Sequence, residues 1–286
     1  MGQPGAGKGR LAKAARSELA VEGGSVLIDP DRLRDRHPHY LQHVREDDKT
    51  AAERVHPDAS QWAKELRQDA IEARRNIVLD ATLNDKQKAR ELLGQLRSAG
   101  YQTEVRALAV HQRDSRQGMQ ARYENAKEKG DVARWVPDAI HDEAYKGLPV
   151  TIGHIEAYGL ADKITVMRRD GTAIYRNDRA ASGTSGLSQI ALLAERGRDP
   201  TEEEKLRHLR GWDKVHAQMI QRGADSRDLA KVSDFRWDAH DSLKARTPPA
   251  ESAGRTEPVP KPGVESVQAL ALAQKARLEA WSRRGR

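Results

Sequence analysis

The chain opens on eight residues that could bind phosphate, Gly2-Gln3-Pro4-Gly5-Ala6-Gly7-Lys8-Gly9, which follow the pattern G-x-x-x-x-G-K of a phosphate-binding loop. The glycines let the backbone approach a triphosphate closely and direct several N–H groups at it. The run from Arg10 to Ala20 predicts a helix, whose N-terminal dipole favours phosphate, and Lys8 adds a full positive charge. A chance glycine turn before a surface helix would not explain this spacing.

Two features depart from the usual motif. The position after Lys8 is normally Ser or Thr, whose hydroxyl binds the magnesium of the nucleotide, and here it is Gly9. We therefore expect either that a water replaces the hydroxyl, with reduced affinity for magnesium, or that the protein is weakened or inactive. The loop also begins at residue 2, so the apolar strand that should precede it is missing from this sequence. The expectation is either a start further upstream or a truncated copy.

Acidic residues follow two apolar stretches that are typical of buried strands. Asp29 ends the first stretch and Asp31 lies two residues later, whereas Asp80 ends the second, Asn76–Asp80. In open α/β sheets, ligands bind at the carboxyl ends of the strands. A carboxylate at the position of Asp31 could accept a proton from a hydroxyl nucleophile, or it could cap the helical turn that follows. The residues alone leave both roles open.

The elements that would position these groups alternate between strand and helix. Helical patterns cover about 47–75 with an interruption near Pro57, 84–99 with Asn84 as the cap, 115–128 and 137–145. Strand patterns cover 103–110 and a hairpin, 164–167 with 172–175, around Asp170-Gly171. The alternation predicts an α/β fold, a P-loop NTPase-like parallel sheet flanked by helices, whose first strand is missing.

The composition changes after residue 178, which predicts a helical C-terminal extension. We divide the chain into a kinase-like domain at 1–178, a linker at 179–200, a helical extension at 201–245, a Pro-rich disordered linker at 246–263 and an amphipathic helix at 264–286.

Composition narrows the class of protein. The 286 residues contain no cysteine and no stretch typical of a membrane span or signal peptide, so we expect a cytoplasmic protein with no membrane partner. A net charge of +7 suits anionic partners, although scattered Lys and Arg support nucleic acid only weakly. Four histidines, His37, His39, His43 and His56, fit no zinc pattern, and we expect no structural zinc.

Five motifs in order resemble the zeta-toxin family of P-loop small-molecule kinases. After the loop come an acidic segment with a downstream His-Pro and aromatic residue, an apolar strand ending in Asp-Ala-Thr, and two basic segments. These are Ile28-Asp29-Pro30-Asp31 with His37-Pro38 and Tyr40, Val78-Leu79-Asp80-Ala81-Thr82 with Asp where Glu is common, Arg122-Tyr123-Glu124, and Arg134 with Pro137, His141 and Asp142. The resemblance covers residues 2–177.

The resemblance implies phosphoryl transfer from ATP, with Mg²⁺, to a sugar hydroxyl of UDP-N-acetylglucosamine, by a toxin paired with an antitoxin protein. It makes Asp31 the catalytic base, and Arg122 and Arg134 the groups that stabilise charge on the phosphoryl. Asp80 would contact substrate or the waters of the metal, and Thr82 would contact substrate. No residue is assigned with certainty as a metal ligand.

Two other functions stay open at this stage. One is a P-loop kinase that acts on another substrate, such as a nucleoside, an antibiotic or a nucleic-acid end. The other is a degenerate nucleotide-binding module that carries a basic helical region to a partner. Gly9 and the missing strand favour the second alternative, whereas Asp31, Arg122 and Arg134 disfavour it.

Overall fold

A computed structural model of the chain describes residues 1–178 and 186–244. Its strands are β1 (Val26–Ile28), β2 (Ile77–Leu79), β3 (Glu104–Leu108), β4 (Lys163–Met167) and β5 (Ala173–Asp178). Its helices are α1 (Lys8–Leu19), α2 (Pro30–Arg34), α3 (Tyr40–Glu46), α4 (Ala51–Arg54), α5 (His56–Glu72), α6 (Lys86–Ser98), α7 (Gln112–Lys129), α8 (Asp138–Ala157), α9 (Leu187–Arg196), α10 (Glu202–Gln221) and α11 (Ser226–Lys244).

Strands pair in the parallel sense wherever a helix connects them, as the alternating pattern predicts. β1 lies beside β2, with Ile28 opposite Leu79, and β3 lies beside β4, with Val105 opposite Ile164. The last pair, β4 and β5, is antiparallel and is joined through the turn at Asp170, so the predicted hairpin is confirmed. The fold is α/β, with parallel strands flanked by helices.

The sheet is formed in two pieces, and Met1 lies beside one of them. The Leu108 N–H donates to the Met1 carbonyl oxygen at 3.0 Å, and the Met1 amine donates to the Arg106 carbonyl oxygen. Among the described residues, no strand precedes the phosphate-binding loop. Met1, the residue that directly precedes the loop, therefore pairs with the backbone of β3.

The main core is aliphatic, and it lies between the β3–β4–β5 sheet and helices α8 and α9. Leu148, Ile152 and Ile155 of α8 pack with Val166 of β4, and Leu192 of α9 belongs to the same cluster. All five side chains are fully buried. Helix α9 is thus part of the core of the domain.

This packing corrects the prediction of a linker at 179–200. The composition of 181–186 is typical of a linker, but helix α9 begins at Leu187 and its apolar face packs on the sheet. The predicted cap at Asn84 is also wrong, because Asp85 accepts the first N–H groups of α6 instead. Residues 179–185 and the segments predicted at 246–263 and 264–286 lie outside the described residues.

The predicted helical extension is present, and it packs on the domain before it. Trp212 of α10 stacks on Phe235 of α11 with ring centroids 5.1 Å apart, and the Gln117 amide of α7 donates to the His208 carbonyl oxygen at 2.5 Å. Met1–Leu243 forms one compact unit. In the part of the chain that the structure describes, no helix is long and apolar enough to cross a membrane.

Candidate phosphate-transfer site

The loop at the start of the chain adopts a backbone that only glycine accommodates at two points. Gly5 and Gly7 have φ values of 74° and 99°, and α1 begins directly afterwards at Lys8. A Cβ on Gly5 would lie 1.9 Å from the Ser115 carbonyl oxygen, and one on Gly118 would lie 2.4 Å from the Gly5 carbonyl oxygen. The loop therefore packs directly on α7 and directs the N-terminus of α1 at the site.

The lysine of the loop is held beside the backbone and close to two carboxylates. Lys8 Nζ lies 3.4 Å from the Gln3 carbonyl oxygen. Burial lowers the pKa of Lys8, and the negative charges of Asp80 and Asp31 oppose this shift. Because the fold brings the residues after β1 and β2 to the same edge, the loop lysine and the predicted acidic residues share one site.

The helical turn after β1 is capped by Asp29. The Asp31 N–H donates to Asp29 Oδ1 at 2.9 Å, and Pro30 occupies the first turn of α2. The alternative in which Asp31 itself is the cap is therefore wrong. Burial raises the pKa of Asp29, and the neighbouring carboxylates of Asp31 and Asp80 raise it further.

Asp31 faces three arginines that come from different parts of the chain. Its carboxylate oxygens lie 2.9 Å from Arg34 Nη1, 3.7 Å from Arg134 Nη1 and 3.9 Å from Arg122 Nη1. Burial alone would raise the pKa of Asp31, but these guanidinium groups and Lys8 outweigh it and the pKa is lowered. The structure thus places the three residues predicted as catalytic side by side.

Asp80 and Thr82 follow β2 at the same edge. Asp80 Oδ1 is buried and has no hydrogen-bond partner among the described residues, whereas the Thr82 hydroxyl donates to Asn84 Oδ1 at 3.4 Å. Within residues 1–178 and 186–244, no group of three or more His, Cys, Asp or Glu residues is placed so that it could hold a metal ion. Gly9 has no side-chain oxygen, and the carboxylates of Asp29 and Asp80 are oxygen donors of the kind that suits Mg²⁺.

Comparison with known proteins agrees with this geometry. The family model described as Zeta toxin matches residues 1–180. This range contains the phosphate-binding loop, both acidic segments and the predicted arginines Arg122 and Arg134. The chain belongs to the zeta-toxin family. The resemblance found in the sequence is thereby confirmed.

Individual relatives of this zeta-toxin family member are distant. Toxin zeta of Enterococcus hirae is 27% identical over 175 residues, which are 61% of this chain and 60% of that protein. Toxin PezT of Streptococcus pneumoniae serotype 4 is 24% identical over 223 residues, or 78% of this chain and 81% of that one. A solved structure, from a characterization of the PezAT chromosomal toxin-antitoxin system of S. pneumoniae, aligns with a TM-score of 0.64 and 22% identity over 77% of this chain and 85% of that chain. This last likeness shows a shared fold.

Two arginines of the site were missed by the sequence analysis. Arg34 lies three residues after Asp31 on a predicted helical turn, a spacing that brings the two side chains together and could have identified it. Arg169, in the turn after β4, donates to the Gly5 carbonyl oxygen at 2.8 Å and to the Asp114 carbonyl oxygen at 3.3 Å. No local pattern connects Arg169 with the loop, so only the fold reveals this contact.

Proposed function

We propose that this zeta-toxin family member is an ATP-dependent phosphotransferase. It would transfer the γ-phosphoryl group of ATP to a sugar hydroxyl of UDP-N-acetylglucosamine, and it would act as the toxin of a toxin–antitoxin pair. The observation that supports this proposal most directly is the position of Asp31, between the loop lysine Lys8 and the guanidinium groups of Arg34, Arg122 and Arg134. The family of the chain and its toxin-named relatives support the role as a toxin, whereas the substrate is what the resemblance of the sequence motifs implies.

The arrangement suits in-line transfer between two oxygens. Loop N–H groups and Lys8 would bind the β- and γ-phosphates at the N-terminus of α1. Asp31 would accept a hydrogen bond from the attacking hydroxyl and then take its proton. Because the pKa of Asp31 is lowered, its main contribution would be to orient the nucleophile, which is what a loose transition state requires.

Positive charge is available where negative charge would develop. Arg122 and Arg134 each lie within 4 Å of Asp31, yet neither makes a short, bidentate pair with it. Arg134 Nη2 donates to Asp35 Oδ2, so Arg134 would contribute its Nη1 and Nε donors, and Arg122 its whole guanidinium group, to the equatorial oxygens of the transferred phosphoryl group.

The chemistry that Mg²⁺ would supply at this site is partial neutralisation of the negative charge on the phosphates. The buried and unpartnered Asp80 Oδ1 and the carboxylate of Asp29 are the protein oxygens that would hold it, directly or through water. Because Gly9 replaces the usual Ser or Thr, the coordination shell of the magnesium would lack the hydroxyl ligand of the usual motif.

The test is a phosphorylation assay with purified protein, ATP and Mg²⁺. We expect UDP-N-acetylglucosamine to gain one phosphate, detected by mass spectrometry and located by phosphorus NMR. Lys8→Ala should abolish this turnover, whereas Lys13→Ala, which removes an exposed lysine from the same helix, should not.

The outcome also separates the alternatives. ATP binding without transfer to this sugar nucleotide, but with transfer to a nucleoside or another hydroxyl compound, would assign a different kinase substrate. Absence of ATP binding in the folded wild-type chain would overturn the proposal in favour of a degenerate module. Growth arrest on expression, relieved by Lys8→Ala, would support the role as a toxin.

A further inference from the structure

Gln3 is the residue of the loop that is most strongly tied to the rest of the molecule. Its side chain is fully buried, and its amide nitrogen donates to the Val110 carbonyl oxygen at 2.9 Å and to Ser115 Oγ at 3.2 Å. Its backbone carbonyl oxygen accepts from the Ala6 N–H at 3.2 Å and lies 3.4 Å from Lys8 Nζ. The position of Gln3 therefore determines where both the loop backbone and the loop lysine lie.

The remaining acceptor of Gln3 is occupied by an arginine from α9. Arg196 Nη2 donates to Gln3 Oε1 at 2.8 Å, and Arg196 Nη1 donates to the Tyr145 carbonyl oxygen at 2.7 Å. The guanidinium also lies over the Tyr145 ring, 3.9 Å from its centroid. These contacts fix the plane of the guanidinium group, so it approaches Gln3 from one direction only.

Arg196 is unusual among the arginines that the structure describes because it is buried without a carboxylate beside it. Its exposed fraction is 4%, and no Asp or Glu pairs with it in the part of the chain that the structure describes. Burying a charge without an opposite charge is costly, and burial lowers the pKa of Arg196 to about 10, so the group stays charged at neutral pH. A surface ion pair would hold α9 at lower cost, which indicates that the buried charge serves the loop beside it.

We propose that Arg196 is a positioning residue of the phosphate-binding loop. Through its contact with Gln3, it holds the loop in the conformation that binds the nucleoside triphosphate. The proposal rests on the proposed function only for the identity of the ligand. It also extends the site beyond the matched region at 1–180, because α9 lies after that region.

A second line of contacts reaches Gln3 from the other side. Ser115, which accepts from the Gln3 amide, lies 2.8 Å from His141 Nε2, and His141 Nδ1 lies 2.8 Å from Asp142 Oδ1. Since this His-Asp pair comes from α8, Gln3 is held between α8 and α9. Removal of Arg196 would leave Gln3 Oε1 buried and unpaired while the amide nitrogen stays in place, so the loop would have to shift to satisfy it.

The first test measures the loop without any nucleotide. Hydrogen exchange of the peptide covering residues 2–10 is compared in the wild type, Arg196→Met and Arg196→Lys, using the full chain. We expect Arg196→Met to lose protection in this peptide, and Arg196→Lys, which keeps the charge and one donor, to lose less. Leu193→Ala is the matched control, because it shortens an exposed side chain of the same helix and should leave the protection of this peptide unchanged.

The second test is a double-mutant cycle on nucleotide affinity, measured by calorimetry with ATP and Mg²⁺. Arg196→Met and Gln3→Met should each weaken binding by roughly ten-fold, the scale of one charge-assisted hydrogen bond. The double variant should bind no more weakly than either single variant, because Arg196 acts through Gln3. Arg198→Met, which loses a surface ion pair with Glu204 close to the same helix, should bind as the wild type does.

The two tests distinguish the failure of this proposal from that of the proposed function. Wild-type loop protection in Arg196→Met would overturn the positioning role, as would independent, multiplying losses in the cycle. A wild-type protein that does not bind ATP would overturn the proposed function, while the exchange measurement would still decide the role of Arg196. Should Arg196→Met not fold, Arg196→Lys and Gln3→Met give the same comparison.

Discussion

Asp31 lies in a cluster of opposite charges, in which Asp35 also pairs with Arg134. Three guanidinium groups and Lys8 face Asp31 and its neighbours Asp29 and Asp80. The pKa of Asp31 lies below its ordinary value of 3.8, so its ion pairs contribute stability above about pH 4 and lose it as the pH falls further. The pKa of Asp29 is raised, so Asp29 is the first of these two carboxylates to take up a proton on acidification.

Replacement of Asp31 by Asn tests its role as the base. The amide keeps the size of the side chain but cannot take a proton, so we expect the turnover number to fall by about 10²–10⁴-fold. The affinity for ATP should stay unchanged or increase, because the substitution removes the negative charge of Asp31 from the neighbourhood of the phosphates. Turnover and ATP affinity are measured together, with Asp58→Asn as the control, an exposed carboxylate that contacts His37. Near-normal turnover in Asp31→Asn would move the base to Asp29 or Asp80.

Replacement of Gly9 by Ser restores the hydroxyl of the usual motif. A Cβ at this position meets nothing within 4 Å, so the substitution fits without movement. We expect half-maximal activity at a lower magnesium concentration than in the wild type. Gly9→Ala is the matched control, since it brings the same gain in helix propensity, up to about 1 kcal/mol, without the oxygen. Equal magnesium midpoints in the two variants would show that another group already fills the position.

Helix α9 is attached to the domain at its N-terminus by one buried carboxylate. Glu156 of α8 accepts hydrogen bonds from the Ser188 N–H at 2.9 Å, the Ser188 hydroxyl at 2.7 Å and the Gly186 N–H at 3.0 Å. Tyr175 and Asn177 of β5 donate to its other oxygen at 2.5 Å and 2.7 Å. A single side chain therefore joins α8, β5 and the positive end of the α9 dipole.

Replacement of Glu156 by Gln tests this attachment. The amide nitrogen cannot accept a hydrogen bond, so it would place a donor against donors. We expect the free energy of unfolding to fall by about 1–3 kcal/mol, measured by urea denaturation. Glu143→Gln, on the exposed side of α8, has one weak contact to Asn84 and should change stability little. A loss of equal size in both variants would contradict the role of Glu156.

The compact unit extends well past the region that carries the family motifs. Helix α7 contacts the phosphate-binding loop through Ser115 and Gly118, and it contacts α10 through its other side. Glu124 of α7 is 1% exposed and is paired with Arg222, with Arg222 Nε 2.6 Å from Glu124 Oε2. Helix α10, together with Arg222 directly after it, therefore stabilises the helix against which the loop packs.

Truncation tests where the functional unit ends. The composition break near residue 181 predicts that everything beyond it is dispensable for catalysis, but the structure places Leu192 in the core and Arg196 on the loop. We expect a fragment ending at residue 244 to unfold cooperatively and to bind ATP as the full chain does, because Met1–Leu243 is one compact unit. A fragment ending at residue 181 should lose both properties. Circular dichroism and calorimetry measure these outcomes, and full ATP binding by the shorter fragment would restore the original boundary.

The sequence by itself determined the parts of the site that depend on neighbouring residues. The loop was predictable because its glycines and its lysine stand at fixed spacing before a helix, and left-handed φ values at Gly5 and Gly7 require glycine. The edge that carries Asp29 and Asp80 was predictable because short apolar runs ending in a carboxylate are typical of buried strands in parallel sheets. The alternation of helix and strand, and the ordered family motifs, gave the fold class.

Tertiary structure alone decided which residues meet across long stretches of chain. The sequence left Asp31 open as either the base or the cap of the turn, and only the backbone geometry of the turn assigns the cap to Asp29. Arg196 reaches Gln3 over 193 positions, from a helix that follows a Ser- and Gly-rich segment. Periodicity and spacing describe contacts within a turn or a strand, whereas such a pair depends on how α8 and α9 pack against the sheet, and that packing is a property of the assembled core.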